Sequence, residues 1–255
     1  NSGTSAGSTV RQLANKNLVW ETTKTTNVGI DAGFLNDKIT LTLEYFQKRS
    51  EDILTNLPIP LHGGVGNSLR SNAATIDNQG FELAATYRGG SSAKDFTYSI
   101  GLNLTTLKNE VIALGEGVNP ITGGGFSQSG VLATRTDVGY PVAAFYGFVV
   151  EGLYQSEAEI TADGRTDAVL GDFNYVDLDN DGDIDDDDRT FLGDAIPDLT
   201  YGLNFSATYK DFDFGLFIKG VSGIDIWNGK RLQYILDGSG GNKIAEVLDA
   251  WTPQN

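Results

Sequence analysis

The sequence predicts an all-β fold of antiparallel strands, and three observations support this. Apolar and polar residues alternate with a period of two in runs of about ten residues. Short turns alternate with long, glycine-rich connections, and only residues 243–250 have a helical pattern. Two architectures share these features: an antiparallel transmembrane β-barrel segment with short periplasmic turns and long extracellular loops, and a soluble two-layer β protein.

The alternation is clear in each predicted strand. In residues 26–35, for example, Val28, Ile30, Ala32 and Phe34 are separated by glycine and aspartate. A run of this length can cross the hydrocarbon layer of a membrane at a tilt. The predicted strands, in chain order, are residues 26–35, 38–48, 80–89, 96–107, 144–154, 199–209 and 212–220.

The connections between these strands differ in length. Tight turns are predicted near residues 36, 90 and 211, and long loops over residues 52–78 and 108–140. Short turns on one side and long loops on the other are typical of outer-membrane barrels.

Aromatic residues lie near the short turns. Because an aromatic ring with a polar edge suits the membrane–water boundary, their position favours a barrel, although a two-layer β protein can show the same pattern. These residues are Phe34, Tyr87, Phe96, Tyr98, Tyr209 and Phe212.

The composition narrows the function classes. The formal net charge of −16 argues against a nucleic-acid partner, which requires a basic surface. The 255 residues contain no cysteine, so they hold no disulfide, thiolate zinc site or cysteine nucleophile. No apolar run is long enough for a transmembrane helix, but this does not bear on membrane strands, whose signal is weaker.

The most specific motif is an acidic stretch between two predicted strands. Nine carboxylates fall between Asp172 and Asp188, with no lysine or arginine among them. Twelve of these residues, starting at Asp177, match the calcium-binding loop of an EF-hand, which has acidic ligands at positions 1, 3, 5 and 12 and glycine at position 6, here Gly182. The predicted calcium ligands are Asp177, Asp179, Asp181, Asp183 (through its backbone carbonyl) and Asp188.

This loop departs from the EF-hand pattern in two respects. Asp188 stands at position 12, where a glutamate normally supplies a bidentate carboxylate. The flanking segments are predicted strands and turns, not helices, so we expect a structural Ca²⁺ ion in a long loop and not a paired calcium sensor. A solvated acidic loop without an ion is the alternative.

Other candidate chemistry is sparse. The single histidine, His62, lies in a glycine-rich segment and is a poor basis for a metal centre or a catalytic triad. Glu44 and Glu82 fall on polar strand faces, which leaves open a paired-carboxylate glycoside hydrolase. The three tryptophans could stack on sugar rings, although interface or packing roles are favoured; they are Trp20, Trp227 and Trp251.

Several segments together resemble the C-terminal barrel of SusC/RagA-type TonB-linked outer-membrane transporters. "NAATIDNQGFELAATY" is similar to a strand of that family, although Ala74 replaces its usual first glycine. "VGYPVAAFYGFVVEGLYQSEAEI" resembles the family's Gly-x-Pro and Phe-Tyr-Gly segment, and "GDFNYVDLDNDGDIDDDDRTFLGDAIPDLTYG" resembles its most recognisable block. The resemblance covers nearly the whole chain.

This resemblance implies part of a 22-stranded, plugged barrel in the bacterial outer membrane. Residues 1–255 would form one partial barrel domain without its plug and final strands, with residues 172–193 as an inserted calcium loop. The implied role is import of glycan or peptide fragments, not catalysis. The implied partners are a SusD-like surface lipoprotein, the TonB complex through the missing N-terminal region, an oligosaccharide or peptide ligand, and outer-membrane lipid.

One alternative from another class remains at this point: a secreted, calcium-stabilised β-sandwich that binds carbohydrate. The two hypotheses differ in what covers the apolar strand face. In a transporter that face meets lipid, and in a sandwich it packs against a second sheet.

Overall fold

The computed structural model describes residues 15–57, 69–91, 93, 95–115, 120–124, 132–231, 234–235 and 241–253. These residues are mostly β-strand with very little helix. The strands are β1 (Thr22–Phe34), β2 (Ile39–Leu57), β3 (Leu69–Ser91), β4 (Phe96–Thr106), β5 (Lys108–Leu114), β6 (Ile121–Gly123), β7 (Thr134–Thr136), β8 (Ala144–Phe148), β9 (Val150–Leu153), β10 (Phe173–Tyr175), β11 (Arg189–Gly193), β12 (Leu199–Tyr209) and β13 (Phe212–Ser222).

The helical segments within the described residues are short. They are α1 (Glu157–Ala162), α2 (Gly229–Arg231) and two 3₁₀ turns, Asp186–Asp188 and Ala245–Asp249. No helix among the described residues is long and apolar enough to cross a membrane.

The main sheet has the order β1-β2-β3-β4-β12-β13, and β5 pairs with the far part of β3. Every pairing in it is antiparallel. β12 follows β4 in the sheet although more than 90 residues separate them along the chain, so the intervening segment is one long excursion between two neighbouring strands. The excursion starts and ends where the Leu107 amide donates to the Asp198 carbonyl at 3.0 Å.

The short turns form as predicted. Leu35, Asn36 and Asp37 take positive φ values of 56°, 55° and 59° between β1 and β2. Asparagine and aspartate tolerate this left-handed region because their side chains bond locally to the backbone. Lys210, at φ 52°, makes the equally tight turn between β12 and β13.

The register aligns apolar residues in rows across one face of the main sheet, here called the apolar face. One row joins cross-strand partners of five strands and the next row repeats the pattern two residues away. The central rows are Ile30–Leu43–Leu83–Leu104–Tyr201, Ala32–Leu41–Ala85–Leu102–Leu203–Ile218 and Phe34–Ile39–Tyr87–Ile100–Phe205–Leu216.

The opposite face of the same strands, the polar face, carries mainly Thr, Ser, Asn, Gly and acidic residues. A typical row is Gly33–Thr40–Thr86–Gly101–Asn204–Phe217. Phe46 and Phe217 are its aromatic exceptions. A polar face of this kind suits a water-filled barrel interior.

No second layer covers the apolar face within the described residues. Val28, Ile30, Phe34 and Phe214 are each more than half exposed. The fully buried apolar residues of the described chain lie elsewhere, at Ala73, Val111, Ala133, Ala144, Tyr154 and Ile160. The β-sandwich alternative requires the apolar face to be packed against protein, and the structure contradicts it.

Aromatic rows bound the apolar face at both ends. Tyr45 and Phe81 are partners at one end, with ring centroids 5.2 Å apart. At the other end Ser91, Phe96, Tyr209 and Phe212 share one row. Ser91 lies ten positions after Phe81 on β3, which is about 33 Å along a strand at ~3.3 Å per residue. At a tilt near 40° this corresponds to a height of about 25 Å, the height of the apolar band of outer-membrane barrels.

Beyond Tyr45 and Phe81 the same face becomes charged. Arg49 Nε donates to Asp77 Oδ1 at 2.8 Å and Gln47 Nε2 donates to Asp77 Oδ2 at 3.1 Å, with Asp77 almost fully buried. Charged side chains are costly in hydrocarbon. This change of chemistry therefore marks the end of the apolar band.

Several predicted boundaries were wrong. The loop predicted over residues 52–78 is partly strand, since β2 continues to Leu57 and β3 begins at Leu69; residues 58–68 lie outside the described residues. These extensions carry polar residues on both faces, so they lack the alternation on which the prediction relied. The loop predicted over residues 108–140 likewise contains β5, β6 and β7.

Two further elements differ from prediction. The strand predicted over residues 144–154 is two strands, β8 and β9, which belong to different sheets. The helix α1 was not predicted; Ser156 caps it by accepting a hydrogen bond from the Glu159 amide. The predicted helix over residues 243–250 is a 3₁₀ turn over Ala245–Asp249.

The chain forms two compact units. The first contains the main sheet and consists of Asn1–Ile121, Thr136–Val142 and Ile196–Ile224. The second consists of Thr122–Arg135, Ala143–Ala195 and Asp225–Asn255, and it carries the small sheets β11-β8-β7-β6 and β10-β9.

Candidate metal centre

The acidic loop of the second unit connects β10 to β11. A 3₁₀ turn, Asp186–Asp188, leads into β11. Its start is fixed by a capping box, in which Asp185 accepts from the Asp187 amide at 2.8 Å and Asp188 accepts from the Asp185 amide at 2.9 Å. This cap turns Asp188 inward, and Asp188 is 1% exposed.

The first part of the loop folds around Asp177. Its Oδ1 accepts from the Asn180 amide at 2.6 Å and its Oδ2 from the Gly182 amide at 2.9 Å. Asn180 and Gly182 have φ values of 62° and 92°. Glycine at this sixth position of the loop allows the sharp turn that an EF-hand loop requires.

Three of the four predicted carboxylate ligands come together. One carboxylate oxygen from each of Asp177, Asp179 and Asp188 lies within 4.8 Å of the others. The carboxylate of Asp181 does not join this cluster. Asp181 instead accepts a hydrogen bond from the Asp183 amide at 2.8 Å, and both residues are exposed.

The cluster alters the acidity of two of its members. Loss of hydration raises the pKa of Asp179 above its usual value, and the charges of Asp181, Asp188 and Asp177 raise it further. Backbone N–H groups, first that of Asp185, lower the pKa of the Asp188 carboxyl. Asp188 is therefore held ionised, whereas lost hydration first and the neighbouring carboxylates second make the Asp179 carboxyl harder to ionise.

This donor set fits a hard divalent cation. Ca²⁺ prefers carboxylate and carbonyl oxygens, and each Asp177 or Asp188 oxygen that accepts a backbone N–H retains a second lone pair. The residues that would hold the ion first are Asp177, Asp179 and Asp188. The ion would remove their mutual repulsion and tie the start of the loop to the base of β11.

The sequence did not reveal a cavity of about 500 Å³ in the second unit, here called the apolar cavity. Its apolar walls come from distant parts of the chain, and two charged residues of opposite sign, Arg189 and Asp225, also line it. The apolar lining includes Leu132, Phe145, Leu192, Ile226 and Trp227. The Phe145 and Trp227 ring centroids are 6.4 Å apart.

The structure brings two of the other candidate residues side by side. Glu44 and Glu82 are direct cross-strand partners on the polar face, with Gly29 and Thr105 beside them in the same row. His62 lies outside the described residues.

The fold and its faces define the class of protein. An antiparallel sheet with one apolar face, one polar face, tight turns on one side and long excursions on the other is a segment of an outer-membrane β-barrel. The barrel is not closed by these strands.

The particular family follows from comparison with known proteins. Residues 1–252 match the family described as "TonB dependent receptor-like, beta-barrel". The chain therefore belongs to the TonB-dependent receptor β-barrel family, as the resemblance indicated.

Named relatives agree with this assignment. The chain is 32% identical over 256 residues to TonB-dependent receptor P3 of Formosa agariphila, with 98% of this chain and 25% of that protein covered. It is 28% identical over 209 residues to TonB-dependent receptor SusC of Bacteroides thetaiotaomicron, with 80% of this chain and 20% of that protein covered. The chain thus spans about a quarter of the length of the curated relatives it matches.

A solved structure shows the same fold. The RagAB peptide transporter superposes with a TM-score of 0.74 at 21% identity, covering 95% of this chain and 26% of that chain. A RagAB peptide importer in an open-open state gives a TM-score of 0.72 at 22% identity.

Proposed function

We propose that this chain is part of a TonB-dependent importer in the bacterial outer membrane, which carries glycan or peptide fragments inward. The role is carriage and not catalysis. In the whole protein a SusD-like surface lipoprotein would cap the barrel, and the TonB complex would supply energy through a region outside this chain.

One observation carries the proposal: six consecutive strands of the sheet share an apolar face about 25 Å high between two aromatic rows. In a protein surrounded by water, an uncovered apolar face of this size would cause aggregation. Membership in the TonB-dependent receptor family supports import driven through TonB. Similarity to the relative named SusC supports an importer of the SusC type.

Deleting the gene tests the import function. We expect the deletion strain to lose uptake of at least one class of labelled fragment, oligosaccharide or peptide, and a plasmid copy to restore it. A strain without TonB should show the same loss, since the energy source would be missing. Unchanged uptake of both classes in the deletion strain, or recovery of the protein only in the soluble fraction, would contradict the proposal.

We further propose that the acidic loop binds one structural Ca²⁺ ion. The convergence of Asp177, Asp179 and Asp188 supports this, together with the glycine at the sixth position of the loop. The shorter aspartate at the twelfth position is buried and fixed by the Leu178 and Asp185 amides, which directs its carboxylate into the loop.

Calorimetry tests the calcium site. Titration of the full-length receptor with Ca²⁺ should show near-stoichiometric uptake by the acidic loop, and Asp177→Ala combined with Asp181→Ala should abolish it. Asp179→Asn, which removes one converging carboxylate, should weaken binding by tenfold or more, about 1.4 kcal/mol.

The matched control is Asp187→Asn. It removes the same charge from the same loop, but Asp187 is exposed and outside the cluster. Equal losses for Asp179→Asn and Asp187→Asn would show that only the overall charge matters, and this would refute the proposed ligand set.

A further inference from the structure

The second unit contains parts of two excursions of the chain, which touch each other at two places. The first excursion lies between β4 and β12, and the second excursion follows β13. Where the second excursion begins, the Asp225 amide donates to the Asp194 carbonyl at 2.8 Å. The Trp227 ring centroid lies 6.4 Å from that of Phe145. These two contacts are here called the base.

The second place of contact is made by Trp251, much further along the second excursion. Its indole N–H donates to Gln155 Oε1 at 3.0 Å. Gln155 Nε2 donates to the Leu153 carbonyl at 3.2 Å, which directs Oε1 towards the indole. The indole ring covers Gly171 closely, because a Cβ atom at Gly171 would lie 2.5 Å from Trp251 Cε3. Only a glycine leaves room for the ring at this position.

The backbone under the Trp251 ring is held by bonds that do not involve Trp251. The Gly171 amide donates to the Tyr154 carbonyl at 2.9 Å, and the Tyr154 amide donates to the Asp172 carbonyl at 3.0 Å. Tyr154 is 2% exposed. These groups all belong to the first excursion, so the seat of the ring stays formed when the ring leaves it.

The segment that carries Trp251, residues 241–253, is here called the strap. It contains no β-strand, and its Val247 and Ala250 amides donate to carbonyls of the strap itself. The contact of Trp251 with the first excursion consists of a ring and a side-chain hydrogen bond, without a β-ladder. A contact of this kind opens at a lower free-energy cost than paired strands.

We propose that Trp251 is a releasable latch between the two excursions, with the base as the hinge. While the ring is seated on Gly171, the strap and the first excursion form one extracellular body. When the ring lifts, the strap separates from the first excursion and the seat remains formed. This inference concerns the motion of the excursions and holds whichever ligand the receptor carries.

Hydrogen–deuterium exchange of the full-length receptor in lipid nanodiscs tests the latch. In the wild-type receptor we expect the Val247 and Ala250 amides to exchange about tenfold or more faster than the Tyr154 and Gly171 amides, because the strap opens while the seat stays formed. Equal rates for the two pairs of amides would show that strap and seat open together as one core, and this would overturn the proposal.

Trp251→Ala should raise the exchange rate of the strap amides about tenfold and leave the Tyr154 and Gly171 amides within about twofold of wild type. Trp251→Phe keeps a ring on Gly171 and loses the indole N–H, so we expect a smaller rise. Unchanged strap exchange in Trp251→Ala, or an equal rise in the strap and the seat, would refute the latch.

Gly171→Ala and Gly164→Ala are a matched pair in the first excursion. Both glycines have positive φ values, 87° and 70°, so an added Cβ atom strains the backbone at both. A Cβ atom at Gly164 meets nothing within 4 Å, whereas at Gly171 it meets the Trp251 ring. We expect Gly171→Ala alone to raise strap exchange, by about tenfold. Equal effects of the two substitutions would show that backbone strain releases the strap, and the seat at Gly171 would be rejected.

Discussion

Replacing Gly80 by alanine is expected to destabilise the full-length receptor by about 3 kcal/mol and to reduce its level in the membrane. Gly80 lies where β3 changes partners: Glu82 and the residues after it pair with β4, whereas Gln79 and the residues before it pair with β5. A Cβ atom at Gly80 would overlap the backbone carbonyl of Thr106, the last residue of β4. A backbone atom at a strand junction cannot move aside as a flexible side chain can.

The Thr106 side chain adds to the constraint, because its hydroxyl accepts a hydrogen bond from the Phe81 amide at 2.9 Å. Moving Thr106 to admit a methyl group would break this hydrogen bond as well. The measurement is urea unfolding of the receptor in lipid vesicles, followed by the mobility shift of the folded barrel in gel electrophoresis.

The matched control for Gly80 is Gly101→Ala on β4. A Cβ atom there would meet Asn204 Cβ at 3.7 Å and Thr86 Oγ1 at 3.9 Å, which are ordinary contacts. We expect a change within about 0.5 kcal/mol in the free energy of unfolding. Similar effects of the two substitutions would show that the strand junction at Gly80 is not the tight point that the structure indicates.

Replacing Leu203 by arginine is expected to lower the free energy of unfolding by about 2–4 kcal/mol, because it puts a charge at the centre of the apolar face. Leu203 has Leu102 and Ile218 as cross-strand partners. Its row lies midway between the two aromatic rows, where hydrocarbon is furthest from water on both sides.

The neighbouring substitution Asn204→Arg is the control for Leu203→Arg. Asn204 faces the other side of the same strand, between Gly101 and Phe217, and an arginine there would point into the polar interior. Its effect should be within about 0.5 kcal/mol. If Asn204→Arg lowered the free energy of unfolding as much as Leu203→Arg, neither face of β12 would meet water, and the barrel interpretation would not hold.

Sequence patterns predicted the membrane part of the fold well. In β12 and β13 the alternation of residue types gave strand bounds that the structure confirms at both ends of β12, because one face needs apolar residues and the other does not. The extensions of β2 and β3 beyond Tyr45 and Phe81 were missed because the sequence does not alternate there. Charged and polar residues such as Arg49 and Asp77 stand there on the face that is apolar nearer the turns, so the alternation is lost.

The two candidate sites also differ in how far the sequence predicted them. The folding of the acidic loop around its own carboxylates could be predicted because these residues are close in sequence, and the structure brings Asp177, Asp179 and Asp188 together. Which carboxylates converge depends on the capping box at Asp185, which the spacing alone did not reveal. The apolar cavity was missed because Leu132, Leu192 and Trp227 are far apart along the chain.

Spin labels along β12 test most directly whether the apolar face meets lipid. The 255 residues contain no native cysteine, so single cysteines can be introduced at successive positions from 200 to 208 of the full-length receptor. Collision with oxygen, which dissolves in lipid, should peak at the odd-numbered positions 201–207. Collision with a water-soluble nickel complex should peak at the even-numbered positions 202–208. Labels at odd-numbered positions that are shielded from both reagents would show that protein covers this face and would contradict a membrane barrel.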